Sequence, residues 1–242
     1  MNTTPSKLRK SGEKEMFIRS ARCQHDALLT LLAAAAVPLL SAPLVHAQGC
    51  IGVSFPGQSY PVGDTPRSIA WGDLDGDGDL DLVTASAFGD DLSVLMNNGD
   101  GTFAAETRYA AGFRPMSLAL GDLDGDGDLD LAVANYSSDS TGVLLNNGDG
   151  TFGAPGSYAA GDGPISITLG DLDGDGDLDM ATANELGNDA SVLLNNGDGT
   201  FAAPGSYAAG SFPQRVALGD LDGDGDLDMA VANIGSDNTS VL

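Results

Sequence analysis

The chain has 242 residues, with ten Lys and Arg against 35 Asp and Glu, for a net charge of −25. Beyond residue 47 four bases face 32 acids, a net charge of −28, with neither Lys nor His; this excludes nucleic acid and anionic lipid, which are held by Lys and Arg neutralising phosphate, and any mechanism built on a histidine base or a lysine Schiff base. A hydrophobic fraction of 42% is too high for a disordered acidic tail, so something must offset the acid, and a bound cation is the obvious candidate.

Residues 1–26 are polar and basic, Ala27 to Leu40 is an apolar run containing Pro38, and Val45-His46-Ala47 has the small residues of a cleavage site. This is the layout of a secretory signal over 1–47, with translation starting at Met1 or Met16. The run is shorter than the roughly 20 residues of a membrane span. Elsewhere the chain has no transmembrane candidate, so the expectation is a protein secreted or held in the cell envelope. Cys50, in the short linker 48–54, is left as the sole mature cysteine, which excludes an internal disulfide. Ala47-Gln48-Gly49-Cys50 loosely resembles a lipid-attachment site, but Gln48 and the small residue at 47 fit it poorly.

Everything from residue 55 to 242 is one repeat. Asp73, Asp122, Asp171 and Asp220 each open the string DLDGDGDLD, 49 residues apart. NNGDGTF starts at Asn97, Asn146 and Asn195, and Tyr60, Tyr109, Tyr158 and Tyr207 keep the same period. A period of this length signals units that bury their faces against their neighbours. Within one unit, Ser117–Gly121, Leu129–Asn135, Thr141–Leu145 and Phe152–Tyr158 read as strands, the last cut by Pro155 as suits a sheet edge. Asn146–Gly150 reads as a hairpin turn. Four short antiparallel strands per unit describe an all-β fold, a β-propeller of four blades.

A lone fourth strand, Phe55–Tyr60, precedes the first unit, and the last unit stops after its third strand at Leu242. The N-terminal strand could complete the last blade and close a ring. An open or partial ring, or a fragment, is favoured because four blades close tightly; self-association to complete a ring is a further expectation.

The chemistry lies in the acidic loops: Asp73, Asp75, Asp77, Asp79 and Asp81; Asp122, Asp124, Asp126, Asp128 and Asp130; Asp171, Asp173, Asp175, Asp177 and Asp179; Asp220, Asp222, Asp224, Asp226 and Asp228. Positions 1, 3, 5 and 9 match the carboxylate ligands of an EF-hand-type loop, position 7 would offer its backbone carbonyl, and the glycine at position 6 allows the sharp turn. Hard oxygen donors at this density suit Ca²⁺, up to four ions, over Mg²⁺ with its stricter octahedron; without Cys or His nothing favours zinc or copper.

With this loop between two strands and a period of 49, residues 55–242 resemble the FG-GAP/VCBS repeat family, related to the seven-bladed propeller of integrin α chains. The resemblance implies Ca²⁺ held between first and second strands, with side-chain ligands Asp73, Asp75, Asp77 and Asp81 and their equivalents 49, 98 and 147 residues on. It departs from that propeller in having four units, not seven.

Comparing the units with one another, the acidic loops and the NNGDGTF turns are invariant, whereas the opposite face varies. That face carries Phe88, Tyr136, Glu185 and Ile234 on the second-to-third connections, and Arg67, Phe113, Arg114, Phe212 and Arg215 on the connections between units. Arg67, Phe113, Arg114, Tyr136, Phe212 and Arg215 are therefore the candidate patch for a protein or glycan ligand. A polysaccharide lyase or hydrolase is the alternative; twenty of the 32 mature acids sit in the loops, Glu106 and Glu185 are the sole glutamates for a carboxylate pair, and no catalytic residue is expected. A purely structural segment of a larger surface protein is a third reading. Phe103, Phe152 and Phe201 are expected in packing, and Trp71 as a buried replacement for Leu120, Leu169 and Leu218.

Overall fold

The computed structural model describes residues 57–242. The predicted signal and linker, Cys50, and Phe55 and Pro56 of the lone strand lie outside the described residues. Ser59–Leu242 is one compact unit built only of strands and turns. The first sheet comprises β1 (Pro66–Gly72), β2 (Asp81–Ser86), β3 (Asp91–Leu95) and β4 (Thr107–Ala110). The second comprises β5 (Pro115–Gly121), β6 (Asp130–Asn135), β7 (Ser140–Leu144) and β8 (Gly156–Ala159), and the third β9 (Pro164–Gly170), β10 (Asp179–Asn184), β11 (Asp189–Leu193) and β12 (Gly205–Ala208). The fourth holds three: β13 (Pro213–Gly219), β14 (Asp228–Asn233) and β15 (Asn238–Val241). Each sheet is an antiparallel meander in chain order. Among the described residues, these sheets of four, four, four and three strands make an open propeller-like arrangement.

The alternation of strand residues is spent on two interfaces. In β6, Leu131 and Val133 enter the core shared with the first blade, and Ala132 and Ala134 enter the core shared with the third. In β10, Met180 faces back and Ala181 and Ala183 face forward. Large residues toward the preceding blade meet small ones from it, so the sheets wedge together; this is why the second and third strands of inner blades are buried on both sides. A shared glycine closes each joint: a methyl placed on Gly72 would meet Leu129 Cδ1 at 2.6 Å, one on Gly121 would meet Leu178 Cδ1 at 2.7 Å, and one on Gly170 would meet Leu227 Cδ1 at 2.8 Å.

The periodic aromatics lock adjacent blades. Tyr109 meets Phe152 edge-on with ring centroids 5.3 Å apart, and Tyr158 meets Phe201 at the same distance. Phe152 and Phe201 are buried. Replacing Phe152 by Ala should cost about 3–5 kcal/mol, in line with other buried Phe-to-Ala changes, whereas Tyr207→Ala, at a half-exposed ring, should cost under about 1 kcal/mol. Thermal melts of the two variants check this; equal losses would contradict the blade-to-blade role of the pair.

Three sequence expectations need correction. The fourth strand does not run Phe152–Tyr158: Phe152 pairs with Asn146 through an isolated bridge, and regular pairing resumes only at Gly156, after Pro155, whose nitrogen has no hydrogen to donate. Residues 57–60 form no strand, although Tyr60 meets Phe103 as the other tyrosines meet their phenylalanines, at 5.3 Å. Trp71 is not buried but 64% exposed, because no blade among the described residues covers it.

Candidate metal centre

Each acidic loop joins the first strand of a blade to the second. The glycines at positions 4 and 6 have positive φ in all four copies, such as Gly125 (79°) and Gly127 (96°), so the chain can coil the alternate aspartates inward. The amide of the second of these glycines donates to the first aspartate: Gly78 N lies 3.0 Å from Asp73 Oδ2, and Gly127 N lies 3.0 Å from Asp122 Oδ2. Asp126 N to Asp124 Oδ1 (3.3 Å) and Asp128 N to Asp126 Oδ1 (2.9 Å) complete the coil.

The ninth aspartate does more than face the loop. Asp130 is fully buried; its Oδ2 accepts from Leu123 N at 2.8 Å and its Oδ1 from Asn146 N at 2.8 Å. Asp81 and Asp179 do the same with Leu74 and Asn97, and with Leu172 and Asn195. One carboxylate thus ties the acidic loop to the hairpin between third and fourth strands. In turn Asn146 donates through Nδ2 to Leu74 O of the preceding blade at 2.8 Å, as Asn195 does to Leu123 O. The hairpin asparagines therefore serve through their side chains, and the left-handed turn positions fall to Gly148 (φ 81°) and Gly150 (φ 73°).

Carboxylate oxygens converge in four triads: Asp73, Asp75 and Asp81; Asp122, Asp124 and Asp130; Asp171, Asp173 and Asp179; Asp220, Asp222 and Asp228. Within each, the oxygens lie within 4.8 Å of one another. Two oxygens each about 2.4 Å from a shared Ca²⁺ can be no farther apart than about 4.8 Å, so the triads meet the geometric demand of that ion. Asp73 Oδ1 is buried without a hydrogen-bond partner, so a bound cation would satisfy it. The residues present therefore fit a hard divalent cation. The converging set is positions 1, 3 and 9. Asp77, Asp126, Asp175 and Asp224 at position 5, and Asp79, Asp128, Asp177 and Asp226 at position 7, stand outside the triads; the position-5 carboxylates accept the amide two residues on.

Desolvation pushes the Asp130 carboxyl from its ordinary 3.8 up to about 6, against the two amide bonds that favour its charged form. Asp75, Asp124 and Asp179 move the same way for the same leading reason. With its folded-state value raised, Asp130 favours the ion-free fold below its ordinary value and loses that contribution as the pH rises through about 6. Cation binding requires the charged form and reverses the shift. In chelated protein the Asp130 carboxyl should titrate near 6 by carbon-detected NMR, and after calcium addition well below 4; an ordinary value in the chelated protein would contradict the buried, uncompensated site.

On the opposite face, Phe113 and Arg114 line a shallow cleft with Phe88, Asp90 and Ser137. The Arg114 guanidinium lies 4.6 Å from the centre of the Tyr136 ring, and the Tyr136 hydroxyl is shifted upward by desolvation and then by the charge of Glu185. Arg114 and Phe212 have φ of 57° and 53°, where the third blade has Gly163, and their amides donate to Asp90 and Asn188. This backbone strain has no counterpart in the sequence reading, although Gly163 in the same repeat position signals it. Arg67 and Arg215 do not belong to the connections between blades. They lie in β1 and β13 and line a separate cleft with Met116, Ile165 and Gln214. Glu106 is engaged by Arg108 at 2.9 Å and by the Ser93 hydroxyl at 2.6 Å.

The FG-GAP-like repeat model matches three times in tandem, over residues 73–133, 122–182 and 171–231. Among curated proteins the sequence has no match. Solved structures with a similar fold include a lectin of Agrocybe aegerita that recognises non-reducing terminal N-acetylglucosamine (26% identity, TM-score 0.47, covering 71% of this chain and 50% of that one). A functionally unknown protein from Desulfotomaculum acetoxidans (16%, 0.51, 77% and 56%) and a streptogramin B lyase (18%, 0.50, 76% and 57%) are further examples. The chain thus spans about half the length of these structures. With the repeat model covering well over half of its residues, the chain belongs to the FG-GAP-like repeat family.

Proposed function

We infer that the chain is a calcium-stabilised, exported ligand-binding module that presents its variable face to a protein or glycan in adhesion. The observation that carries this reading is where exposed apolar side chains fall. Phe88, Phe113, Leu186, Phe212 and Ile234 are all exposed on the second-to-third and inter-blade connections, beside the Arg114–Tyr136 stack. Five large apolar groups, set in one rim of variable loops and held in part by strained backbone, suit a contact surface better than solvent drift. The acid-rich face is invariant between units and is occupied with holding the fold, so the two faces divide the tasks of stability and recognition. A catalytic role is not part of this reading, because Glu106, one of the two glutamates beyond residue 47, is paired with Arg108. The test is binding of the calcium-loaded protein to an array of glycans and surface proteins, repeated with Phe88→Ala and Phe113→Ala combined. The reading predicts captured ligands whose signal falls at least tenfold in the variant; signals that survive it unchanged would overturn the assignment of this face.

A further inference from the structure

The second blade departs from the third at one buried polar cluster. In the third blade, Asn184 Nδ2 donates to Asp189 Oδ1 and to Ser191 Oγ, both at 2.9 Å, and Ser206 Oγ donates to Asp189 Oδ2 at 2.6 Å. One carboxylate thus accepts from an amide on β10 and from a hydroxyl on β12. The fourth blade keeps the amide bonds, with Asn233 Nδ2 at 3.0 Å from both Asn238 Oδ1 and Ser240 Oγ. The second blade keeps the donors and changes the acceptors. Asn135 and Ser157 stand where the third blade has Asn184 and Ser206, but Ser140 takes the place of Asp189 and Gly142 that of Ser191.

Asn135 is 1% exposed, and its orientation is fixed because Oδ1 accepts from Gly112 N at 3.0 Å. Its Nδ2 has no hydrogen-bond partner among the described residues, and neither has the Ser157 hydroxyl. Both residues line a cleft of about 260 Å³ together with Ser138, Ser140, Gly142 and Gly156. A methyl placed on Gly142 would stand 3.1 Å from Asn135 Nδ2, so the amide is aimed at the space that Ser191 fills in the third blade. Nothing in the backbone asks for this glycine. β7 pairs with both of its neighbours in unbroken register, and Gly156 O would lie 3.9 Å from that methyl, an ordinary contact. A glycine inside a strand, with neither a bulge nor a crowding backbone to explain it, marks a place where a ligand comes close.

We propose that this cleft binds a carboxylate, seated as the Asp189 side chain is seated in the third blade, with one oxygen on Asn135 Nδ2 and the other on Ser157 Oγ. The donors are those that hold a carboxylate one repeat further on. No acidic residue lines the cleft, although the chain beyond residue 47 carries 32 acids. An ionised acceptor makes hydrogen bonds about twice as strong as a neutral one, and a buried amide without a partner carries a cost that a ligand oxygen removes. The volume is below the range of about 300–1,000 Å³ that takes drug-sized ligands, so it suits a small acid or the carboxylate end of an acidic sugar. The site stands independently of the adhesion role proposed above.

The test is NMR of the calcium-loaded full chain, following the side-chain amide of Asn135 while sodium acetate or sodium glucuronate replaces sodium chloride at constant ionic strength. The wild type should show a saturable shift of this amide with either acid and none with chloride alone. Ser140→Asp combined with Gly142→Ser gives the second blade the residues of the third, so this variant should keep the wild-type circular dichroism while its affinity for acetate falls at least tenfold. Glucuronate bound at least tenfold more tightly than acetate assigns the carboxylate to an acidic sugar; equal affinities assign it to a small free acid. An Asn135 amide that responds to the acids no more than to chloride, or saturable binding that survives in the folded double variant, would overturn the proposal.

Discussion

Removing calcium should lower the melting temperature by about 10–20 °C, reversibly on adding it back. Each acidic loop packs five carboxylates into nine residues, and the chain beyond residue 47 carries no lysine to offset them. An ion bound at ten times its Kd stabilises the fold by about 1.4 kcal/mol per site, so four equivalent sites supply about 5–6 kcal/mol. That is comparable with the entire stability of an ordinary domain. At roughly 2–4 °C per kcal/mol for a fold of this size, the shift is far outside experimental scatter. The effect should also be cooperative along the arc, because the first three loops are each tied through the ninth aspartate to a hairpin, and the second and third hairpins to the loop of the preceding blade. Scanning calorimetry with and without chelator measures it; an unchanged melting temperature would remove calcium from the account of stability.

The second large effect is expected from Asp130→Ala. Its carboxylate is at once a triad member, the acceptor for Leu123 N and the acceptor for Asn146 N. Charge-assisted bonds of this kind are worth about 1.5–3 kcal/mol each, and both amides would be left buried and unpaired, so a loss of about 3–6 kcal/mol is expected. Asp126→Ala removes an exposed carboxylate that accepts one amide within the loop, and should cost no more than about 1 kcal/mol. Denaturant titrations in excess chelator separate the scaffold role from the ion: the gap between the two variants should persist there. Equal losses in chelator would show that the ninth aspartate acts through the ion alone.

Much of this architecture is legible in the residues because the repeat supplies its own comparison. The 49-residue period places four acidic loops at the same point of four blades, and the alternation in Leu129–Asn135 marks a strand, though not its burial on both sides. What escapes the sequence is mostly what depends on neighbours. Trp71 sits in a leucine position and reads as core; it is exposed because no blade among the described residues covers it. Arg67 and Arg215 read as loop residues because they follow within two residues the prolines that open their strands, yet Pro66 and Pro213 are themselves first strand residues, paired across a bulge. A Pro at a strand start is permitted, so it marks a boundary one residue ambiguous. The ninth aspartate reads as a ligand like its fellows, and nothing in its spacing discloses that its two oxygens also hold backbone amides from two different turns.

The acidic loops are the centre of the account, and counting the ions tests them most directly. Equilibrium dialysis of the chelated protein against labelled calcium should approach four ions per chain, with one fewer in Asp130→Asn and no comparable uptake of zinc. Saturation with no bound calcium, or uptake unaltered when the triad aspartates are replaced, would contradict it.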